Sequence, residues 1–278
     1  SLLAAAGWSI AYLLPGWAAG AAVRLPLPDG FWPQAAVVGG GLALLVGISI
    51  QTSLRSKKHA TQVMAATSAI LLAGIFFGWP HLSQLDNGIM TLIQEHRSTV
   101  LDQFVIVVTG MGDFRTQLYA AALLLVLLLI TRQWRHAAFA LIATLGTALA
   151  NGSMKWVFAR ARPEVLLEPL TTYSMPSGHS SASFAFFITL AVLAGRGQPV
   201  RLRLTWLMLG GMPAISIAMS RVYLGVHWPT DVLAGMFLAF TFCAISLSIV
   251  QRKSSLPALP VRIWWLILSS LVALFSLS

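Results

Sequence analysis

The stretch Ser220-Arg-Val-Tyr-Leu-Gly-Val-His-Trp-Pro-Thr-Asp231 lies between two apolar runs, at about 204–222 and 228–250, and carries an arginine, a histidine and an aspartate. Each run has the length that a helix needs to cross a bilayer core of roughly 30 Å. Charged groups at a membrane boundary are costly and are usually present because they function there. The stretch therefore predicts a membrane-helix fold with a functional site at one membrane surface.

The spacing within this stretch predicts an oriented histidine. His227 and Asp231 are four residues apart, and Pro229 favours a helix that begins near Trp228. In such a helix the Asp231 carboxylate can accept the ring N–H of His227, which fixes the tautomer and makes the other nitrogen more basic. Beside Arg221, a histidine of this kind suits nucleophilic attack on a phosphate ester.

The composition is typical of a polytopic membrane protein. The 278 residues are 57% apolar and only 9% charged, with a mean hydropathy of +0.79, whereas soluble domains are about 25% charged. The net charge of +10 is spread over short loops, which argues against nucleic acid as a partner. The single cysteine, Cys243, excludes an internal disulfide and argues against a cysteine-based metal site.

The apolar runs predict an all-α transmembrane bundle. Its spans are expected at about 1–23, 35–51, 63–80, 117–131, 137–159, 178–194, 204–222, 228–250 and 261–278. The segment 81–115 is mixed in polarity, which predicts amphipathic helices that lie on the membrane surface or are partly inserted into it. Tryptophans near the span ends, among them Trp79 and Trp228, fit an interfacial aromatic belt.

The distribution of charge predicts the orientation in the membrane. If the spans alternate, one side receives 11 of the 18 basic residues, namely Arg55, Lys57, Lys58, Arg132, Arg135, Arg196, Arg201, Arg203, Arg252, Lys253 and Arg262. All eight acidic residues fall on the opposite side. The positive-inside rule makes the first side cytoplasmic. The loops at 155–178 and 221–230 are therefore expected to face away from the cytoplasm.

Two further clusters fall on that outer side. Lys155 and Arg162 are seven residues apart, so they share one face of a helix that Pro163 helps to end. Two cations at a membrane edge suit a phosphate, since arginine can bind two oxygens at once. If this pair stood alone, snorkelling towards lipid headgroups would be the favoured explanation.

The second of these clusters, Pro176-Ser-Gly-His-Ser180, opens the span at 178–194. Ser177 is a good N-cap, and Gly178 lets a ligand approach the backbone. The free N–H groups of a helix N-terminus can hold an anion, with His179 standing beside it. A phosphate-binding turn is therefore predicted here.

In combination, Lys-x6-Arg-Pro, Pro-Ser-Gly-His and Ser-Arg-x5-His-x3-Asp, with membrane spans between them, resemble the signature of the type-2 phosphatidic acid phosphatase superfamily of membrane lipid phosphatases. The resemblance covers about residues 63–250 and implies a six-helix core. We therefore predict extra membrane helices and a linker at 1–60, a phosphatase core at 61–253, and a further membrane helix at 254–278.

The resemblance also implies a role for each matching side chain. His227 would attack phosphorus and become a phosphohistidine, with Asp231 holding its other nitrogen. His179 would protonate the departing oxygen and then activate the water that releases phosphate. The phosphate oxygens would be held by Lys155, Arg162, Ser177, Gly178 and Arg221. The family is metal-independent, and neither a metal nor a cofactor is expected.

Other polar residues receive simpler interpretations. A solvated loop, or contact with a lipid headgroup, is expected for Arg160, Glu164 and Glu168. A surface position is expected for His59, His81, His96 and His136. From the mixed segment, Asp113 and Arg115 could brace the site. The stretch from Trp8 to Gly20 is similar to the closing segment of DedA-type membrane proteins, which would make this chain the phosphatase part of a fusion protein.

The resulting expectation is a lipid phosphatase of a bacterial inner membrane, with its site facing the periplasm or cell exterior and with the bilayer and a lipid phosphate as partners. A polyprenyl diphosphate is the favoured substrate, and phosphatidylglycerol phosphate, phosphatidic acid and lipid A phosphates are alternatives. Vanadate-dependent haloperoxidases have a similar site but are soluble. A lipid transporter or scramblase with a degenerate site is a further alternative, against which the intact Lys155, His179, Arg221 and His227 argue.

Overall fold

The computed structural model describes residues 27–54, 59–163 and 172–276, which form α-helices and one 3-10 turn. The helices are α1 (Phe31–Leu54), α2 (Ala60–Gly78), α3 (Ser83–Glu95), α4 (Thr99–Gly110), α5 (Phe114–Ile130), α6 (Trp134–Phe158), α7 (Gly178–Ala194), α8 (Val200–Tyr223), α9 (Pro229–Val250) and α10 (Val261–Ser276). The predicted all-α fold is confirmed. The expected span at 1–23, with its DedA-like segment, lies outside the described residues.

The helices fit a protein that crosses the membrane several times. Within the described ranges, five segments are long and apolar enough to span a bilayer, namely Phe31–Thr52, Ala60–Glu95, Trp134–Phe158, Val200–Tyr223 and Pro229–Val250. A sixth candidate consists of α4 and α5 together, bent by 41° at the break between them. Helices α7 and α10 are apolar but shorter. The predicted multi-span architecture is confirmed.

The mixed segment 81–115 differs in part from its prediction. It is helical, but α4 is apolar and joins α5 at the bend. The carboxylate of Asp113 accepts the backbone N–H of the second residue of α5 at 3.0 Å, so this helix begins at Phe114 instead of 117. A Cβ on Gly112 would lie 2.2 Å from a methyl of Ile217, so glycine allows the bend to pack on α8.

Helix α9 is the centre of the bundle, since it packs against α2, α6 and α7, while α8 packs on α7. The N-termini of α7 and α9 approach closely because Gly235 has no side chain. A Cβ there would lie 2.8 Å from the carbonyl oxygen of Ser177. The Ser177 amide also donates to the carbonyl of Asp231 at 3.0 Å. The first turns of these two helices are therefore held together at one end of the bundle.

The C-terminal helix α10 packs into the same hydrophobic core, through residues that include Ile263, Ile267 and Leu271. The loop before it folds over the start of α6. His136, expected at the surface, is only 2% exposed, and its Nε2 lies 2.9 Å from the carbonyl of Pro257. The surface prediction for His136 is wrong because this loop covers it.

The two ends of the bundle differ in charge. At the end where α6 and α8 finish lie all the described acidic residues, Asp29, Asp86, Glu95, Asp102, Asp113 and Asp231. At the other end lie most of the described basic residues, Arg132, Arg135, Arg196, Arg201, Arg203, Arg252, Lys253 and Arg262. This is the asymmetry from which the orientation was predicted.

Candidate active site

The three predicted motifs meet at the acidic end of the bundle, where α6 and α8 finish and α7 and α9 begin. Ala159 ends α6 in a left-handed conformation, with φ 42° and ψ 34°. Gly225, with φ 71°, turns the chain after α8, as glycine does at many helix ends. These turns bring the segment around Arg162 onto the loop that holds His227.

The contacts of His227 determine its tautomer. Its Nε2 lies 3.1 Å from Nη1 of Arg162, and a guanidinium can only donate. The Nε2 atom is therefore the acceptor, and Nδ1 carries the proton. Nδ1 faces Ser174 Oγ at 3.3 Å and Asp231 Oδ2 at 3.5 Å. The lone pair on Nε2 is the one available to a phosphorus atom.

Asp231 is held in place from several directions. The helix begins at Pro229 after its N-cap Trp228, as the sequence predicts. Asp231 Oδ2 accepts the Trp228 backbone N–H at 2.9 Å and the hydroxyl of Ser174. The separation of 3.5 Å between His227 and Asp231 exceeds a normal hydrogen bond. Ser174, which the sequence analysis missed, therefore links the histidine to the carboxylate.

Two of the predicted phosphate-binding cations, Lys155 and Arg162, converge beside this histidine. Lys155 Nζ donates to the carbonyl of Tyr173 at 2.7 Å. The guanidinium of Arg162 donates to Thr172 O and to Val226 O, each at 2.8 Å. Burial lowers the pKa of Arg162, while the charge of Asp231 opposes this shift. The ammonium and the guanidinium meet neutral carbonyls rather than carboxylates, which leaves their charge available to an anion.

Arg221, the third predicted cation, comes from the end of α8. Its Nη1 donates to Thr109 Oγ1 on α4 at 2.8 Å. Its buried Nε has no hydrogen-bond partner among the described residues. The guanidinium lies close enough to His179 and Lys155 to interact with both electrostatically. A bound phosphate could therefore use a donor that the protein leaves unsatisfied.

The turn at the start of α7 provides a helix N-terminus beside the cations. The hydroxyl of Ser177 caps the helix by accepting the Ser180 amide at 3.4 Å. A Cβ on Gly178 would meet only Asn151 Oδ1, at 3.7 Å. The protein itself therefore does not require glycine here, and the backbone is open to a ligand. His179 follows directly and lines the adjacent groove.

Burial lowers the pKa of His227 to about 4, although the nearby carboxylate of Asp231 acts in the opposite direction. The ring is only 2% exposed. The imidazole is therefore uncharged near neutral pH. An uncharged ring agrees with the acceptor role of its Nε2.

Two charged side chains behind the site were not predicted to belong to it. Arg160, expected in a solvated loop, is only 6% exposed, and this prediction is wrong. Its Nη1 lies 2.7 Å from Asp231 Oδ1, and its Nη2 lies 2.6 Å from Asp86 Oδ2. Asp86 comes from the mixed segment and is 1% exposed. Glu164 and Glu168 lie outside the described residues.

A groove of about 310 Å³ leads from His179 and Asn151 between α5, α6 and α7. Its lining is mostly apolar and includes Leu125, Leu141 and Phe186. From Asn151 to Leu141 it follows ten residues of α6, or about 15 Å. The groove therefore joins the polar site to the apolar middle of the bundle.

Comparison with known proteins identifies the relatives of this chain. The sequence profile described as "PAP2 superfamily" matches residues 136–255. Undecaprenyl-diphosphatase of Sulfolobus acidocaldarius is 35% identical over 131 residues, a match that covers 44% of the chain and only 60% of that protein. Phosphatidylglycerophosphatase B of Bacillus subtilis is 30% identical over 186 residues, which covers 65% of the chain and 81% of that protein.

A solved structure has the same fold. The crystal structure of a transmembrane PAP2-type phosphatidylglycerolphosphate phosphatase from Bacillus subtilis aligns with a TM-score of 0.61 at 20% identity. The alignment covers 68% of the chain and 97% of that structure. The fold of about two thirds of the chain is therefore shared with a membrane protein of known structure.

Proposed function

Because the chain belongs to the PAP2 superfamily of lipid phosphatases and is a phosphoric ester hydrolase, we propose that it hydrolyses a polyprenyl diphosphate. The reaction proceeds through a phosphohistidine on His227. The contact that carries the proposal is the 3.1 Å approach of Arg162 Nη1 to His227 Nε2. In this contact the Arg162 donor meets the uncharged Nε2 atom of the imidazole. The other ring nitrogen, Nδ1, faces Ser174 and Asp231.

The first half of the reaction forms the phosphoenzyme. A phosphate group that takes over the Nη1 donor of Arg162 comes to lie next to His227 Nε2. The Nε2 lone pair attacks phosphorus while the bond from phosphorus to the lipid oxygen, or to the bridging oxygen of a diphosphate, breaks. His179 donates a proton to that departing oxygen. Asp231 balances the positive charge that develops on the imidazole.

The second half releases inorganic phosphate. His179, now without its proton, takes one from a water molecule, and the hydroxide oxygen bonds to phosphorus as the bond to Nε2 breaks. Lys155, Arg162 and Arg221 stabilise the charge on the equatorial oxygens in both steps, together with the Ser177 hydroxyl and the Gly178 N–H. The chain's own fixed cations thus supply the positive charge that phosphoryl transfer requires.

The groove supports a lipid substrate. It begins at His179, the proposed proton donor, and its apolar lining suits a hydrocarbon chain. The relatives are named for undecaprenyl diphosphate and for phosphatidylglycerophosphate. We favour the polyprenyl diphosphate, with phosphatidylglycerol phosphate, phosphatidic acid and lipid A phosphates as the competing substrates.

A substrate panel tests this function. Detergent-solubilised protein should release phosphate fastest from a polyprenyl diphosphate, and the variant His227→Ala should release none. Faster release from one of the competing lipids would replace the proposed substrate. Activity that survives in His227→Ala, or that EDTA abolishes, contradicts the proposed reaction. A chain that moves lipid across vesicles without releasing phosphate would instead be a transporter or scramblase.

We also propose that the site lies at the outer face of a bacterial inner membrane. The asymmetry of basic residues between the two ends of the bundle supports this orientation. Cysteine labelling tests it in a Cys243→Ala background, with Glu95→Cys at the site end and Ser254→Cys at the other. Both positions are exposed. An impermeant reagent should label Glu95→Cys in intact cells and leave Ser254→Cys unlabelled, and the reverse pattern contradicts the orientation.

A further inference from the structure

A buried row of charged side chains continues behind the proposed nucleophile. The guanidinium of Arg160 lies between two carboxylates, with Nη1 at 2.7 Å from Asp231 Oδ1 and Nη2 at 2.6 Å from Asp86 Oδ2. The side chains of Arg160, Asp86 and Asp231 are 6%, 1% and 0% exposed. Because Asp231 faces His227, the row connects α3 to the reacting histidine through the segment that follows α6.

Asp86 also fixes the first turn of α9. Its Oδ1 accepts the backbone N–H of Thr230 at 2.9 Å, and its Oδ2 accepts the Thr230 hydroxyl at 2.6 Å. Thr230 is the residue immediately before Asp231. Asp86 therefore constrains both the backbone that carries Asp231 and the arginine that contacts it.

Two tryptophans hold the guanidinium in place. The Cζ atom of Arg160 lies 4.5 Å from the ring centroid of Trp79 and 5.4 Å from that of Trp228. Such stacking favours a cation and restricts its rotation. These two rings, which the sequence places near the ends of membrane spans, contact the charged row.

The charges explain what the row can do. A carboxylate as buried as Asp231 would bind a proton if no cation stood beside it. Arg160 stabilises the ionised form through Oδ1, which leaves Oδ2 to face Ser174 and His227. Asp86 binds Nη2 of the guanidinium, so Nη2 is not available to Oδ2 of Asp231. The carboxylate oxygen nearest the imidazole therefore keeps its charge for the histidine.

We propose that Arg160 and Asp86 are positioning residues for phosphoryl transfer, which hold Asp231 ionised and aimed at His227 without touching the substrate. This inference depends on the proposed role of His227 as the nucleophile. Buried ion pairs of this kind are often no more stabilising than apolar side chains of similar volume. Stabilisation of the fold alone therefore does not explain why three charged side chains are buried at this place.

A double-mutant cycle tests the proposal through kcat and KM. Arg160→Met should lower kcat by about 100-fold, the cost of a small misplacement of reacting groups, and should leave KM almost unchanged. In an Asp231→Asn background the same substitution should have little further effect, because Arg160 acts through Asp231. Independent, additive losses, or a change confined to KM, would overturn the proposal.

Two milder variants are needed because Arg160→Met leaves two buried carboxylates without their cation. Arg160→Lys keeps the charge but cannot bridge both carboxylates, and Asp86→Asn keeps a similar shape without the charge. Each should lower kcat by about tenfold, with KM and the unfolding temperature close to wild type. Wild-type kcat in either folded variant overturns the proposal.

The matched control is Arg97→Met, which removes an arginine from an exposed pair with Asp102 at the same end of the bundle. It should leave kcat unchanged, since exposed pairs contribute little.

Wild-type protein that releases no phosphate overturns the proposed function, and this inference with it. Active wild-type protein with an additive cycle overturns this inference alone.

Discussion

Arg162 covers the nitrogen with which His227 would attack, since Nη1 of the arginine lies 3.1 Å from Nε2 of the imidazole. The same guanidinium also donates to the carbonyls of Thr172 and Val226. A phosphate must take over the Nη1 contact before phosphorus can reach Nε2. In the proposed reaction Arg162 therefore has two roles, to hold the resting tautomer of the histidine and to bind the substrate that displaces it.

Replacement of Arg162 should affect the reaction strongly. We expect Arg162→Met to lower kcat/KM by about 100- to 1,000-fold, the typical loss for one donor to a charged transition state. Arg162→Lys should fall between this variant and wild type, because an ammonium keeps the charge but not the planar fork. Phosphate release with the preferred lipid measures both. Activity of Arg162→Met equal to that of the Arg97→Met control contradicts this role.

The ionisation of His227 can be measured directly. Burial lowers its pKa to about 4, below the value of about 6.5 for an exposed histidine. The neutral ring therefore favours the folded state, a contribution fully present above about pH 6.5 and lost as the pH falls through about 4. In ¹³C-histidine NMR spectra of phosphate-free protein, the resonance absent from His227→Asn should titrate near 4. A midpoint at 6.5 or above contradicts this environment.

The contact between α7 and α9 should tolerate no side chain at Gly235. A Cβ there would lie 2.8 Å from Ser177 O and 3.0 Å from Ser181 N, both backbone atoms that cannot rotate away. Gly235→Ala should therefore lower the free energy of unfolding by about 1–3 kcal/mol, and should lower kcat because the phosphate-binding turn shifts. Thermal unfolding in detergent and phosphate release measure the two effects.

The control for this variant is Gly152→Ala on α6, where a Cβ would have no neighbour within 4 Å. It should leave both the unfolding temperature and kcat at or above the wild-type values. If Gly235→Ala behaves in the same way as Gly152→Ala, the starts of α7 and α9 are not in close contact.

The groove can be tested by filling it. Ala182 lines the groove on α7, so Ala182→Trp should exclude a long hydrocarbon chain. We expect kcat/KM to fall at least about tenfold for the long-chain lipid and to change little for a short, soluble phosphate ester. Leu149→Trp, at a site 64% exposed on α6, is the control for added bulk. Equal losses on the long and short substrates would show that the lipid chain lies elsewhere.

The sequence allowed prediction of those parts of the site that depend on local spacing. His227 and Asp231 are four residues apart beside Pro229, and Ser177 precedes an apolar run, so helix geometry alone places these groups. Arg160 and Asp86 were missed because they are 74 residues apart, and only tertiary packing shows that they share a buried position. The link through Ser174 was missed for the same reason, since a serine in a polar loop is an ordinary residue.

The bend between α4 and α5 and the groove beside His179 also depend on packing. The apolar character of α4 is visible in the sequence, but the 41° bend that joins it to α5 is not, and neither is the close approach of Gly112 to Ile217 at that bend. The groove is the space left between three helices, and no residue pattern within one helix specifies it.

The measurement that tests the central claim most directly is the capture of the phosphoenzyme. Protein mixed briefly with ³²P-labelled lipid phosphate and quenched in alkali should carry label that is stable to base and released by acid, as a phosphohistidine is. Mass spectrometry should place the phosphate on His227, and His227→Asn should carry none. A phosphate found on another residue, or steady turnover by His227→Asn, would contradict the assignment of His227 as the nucleophile.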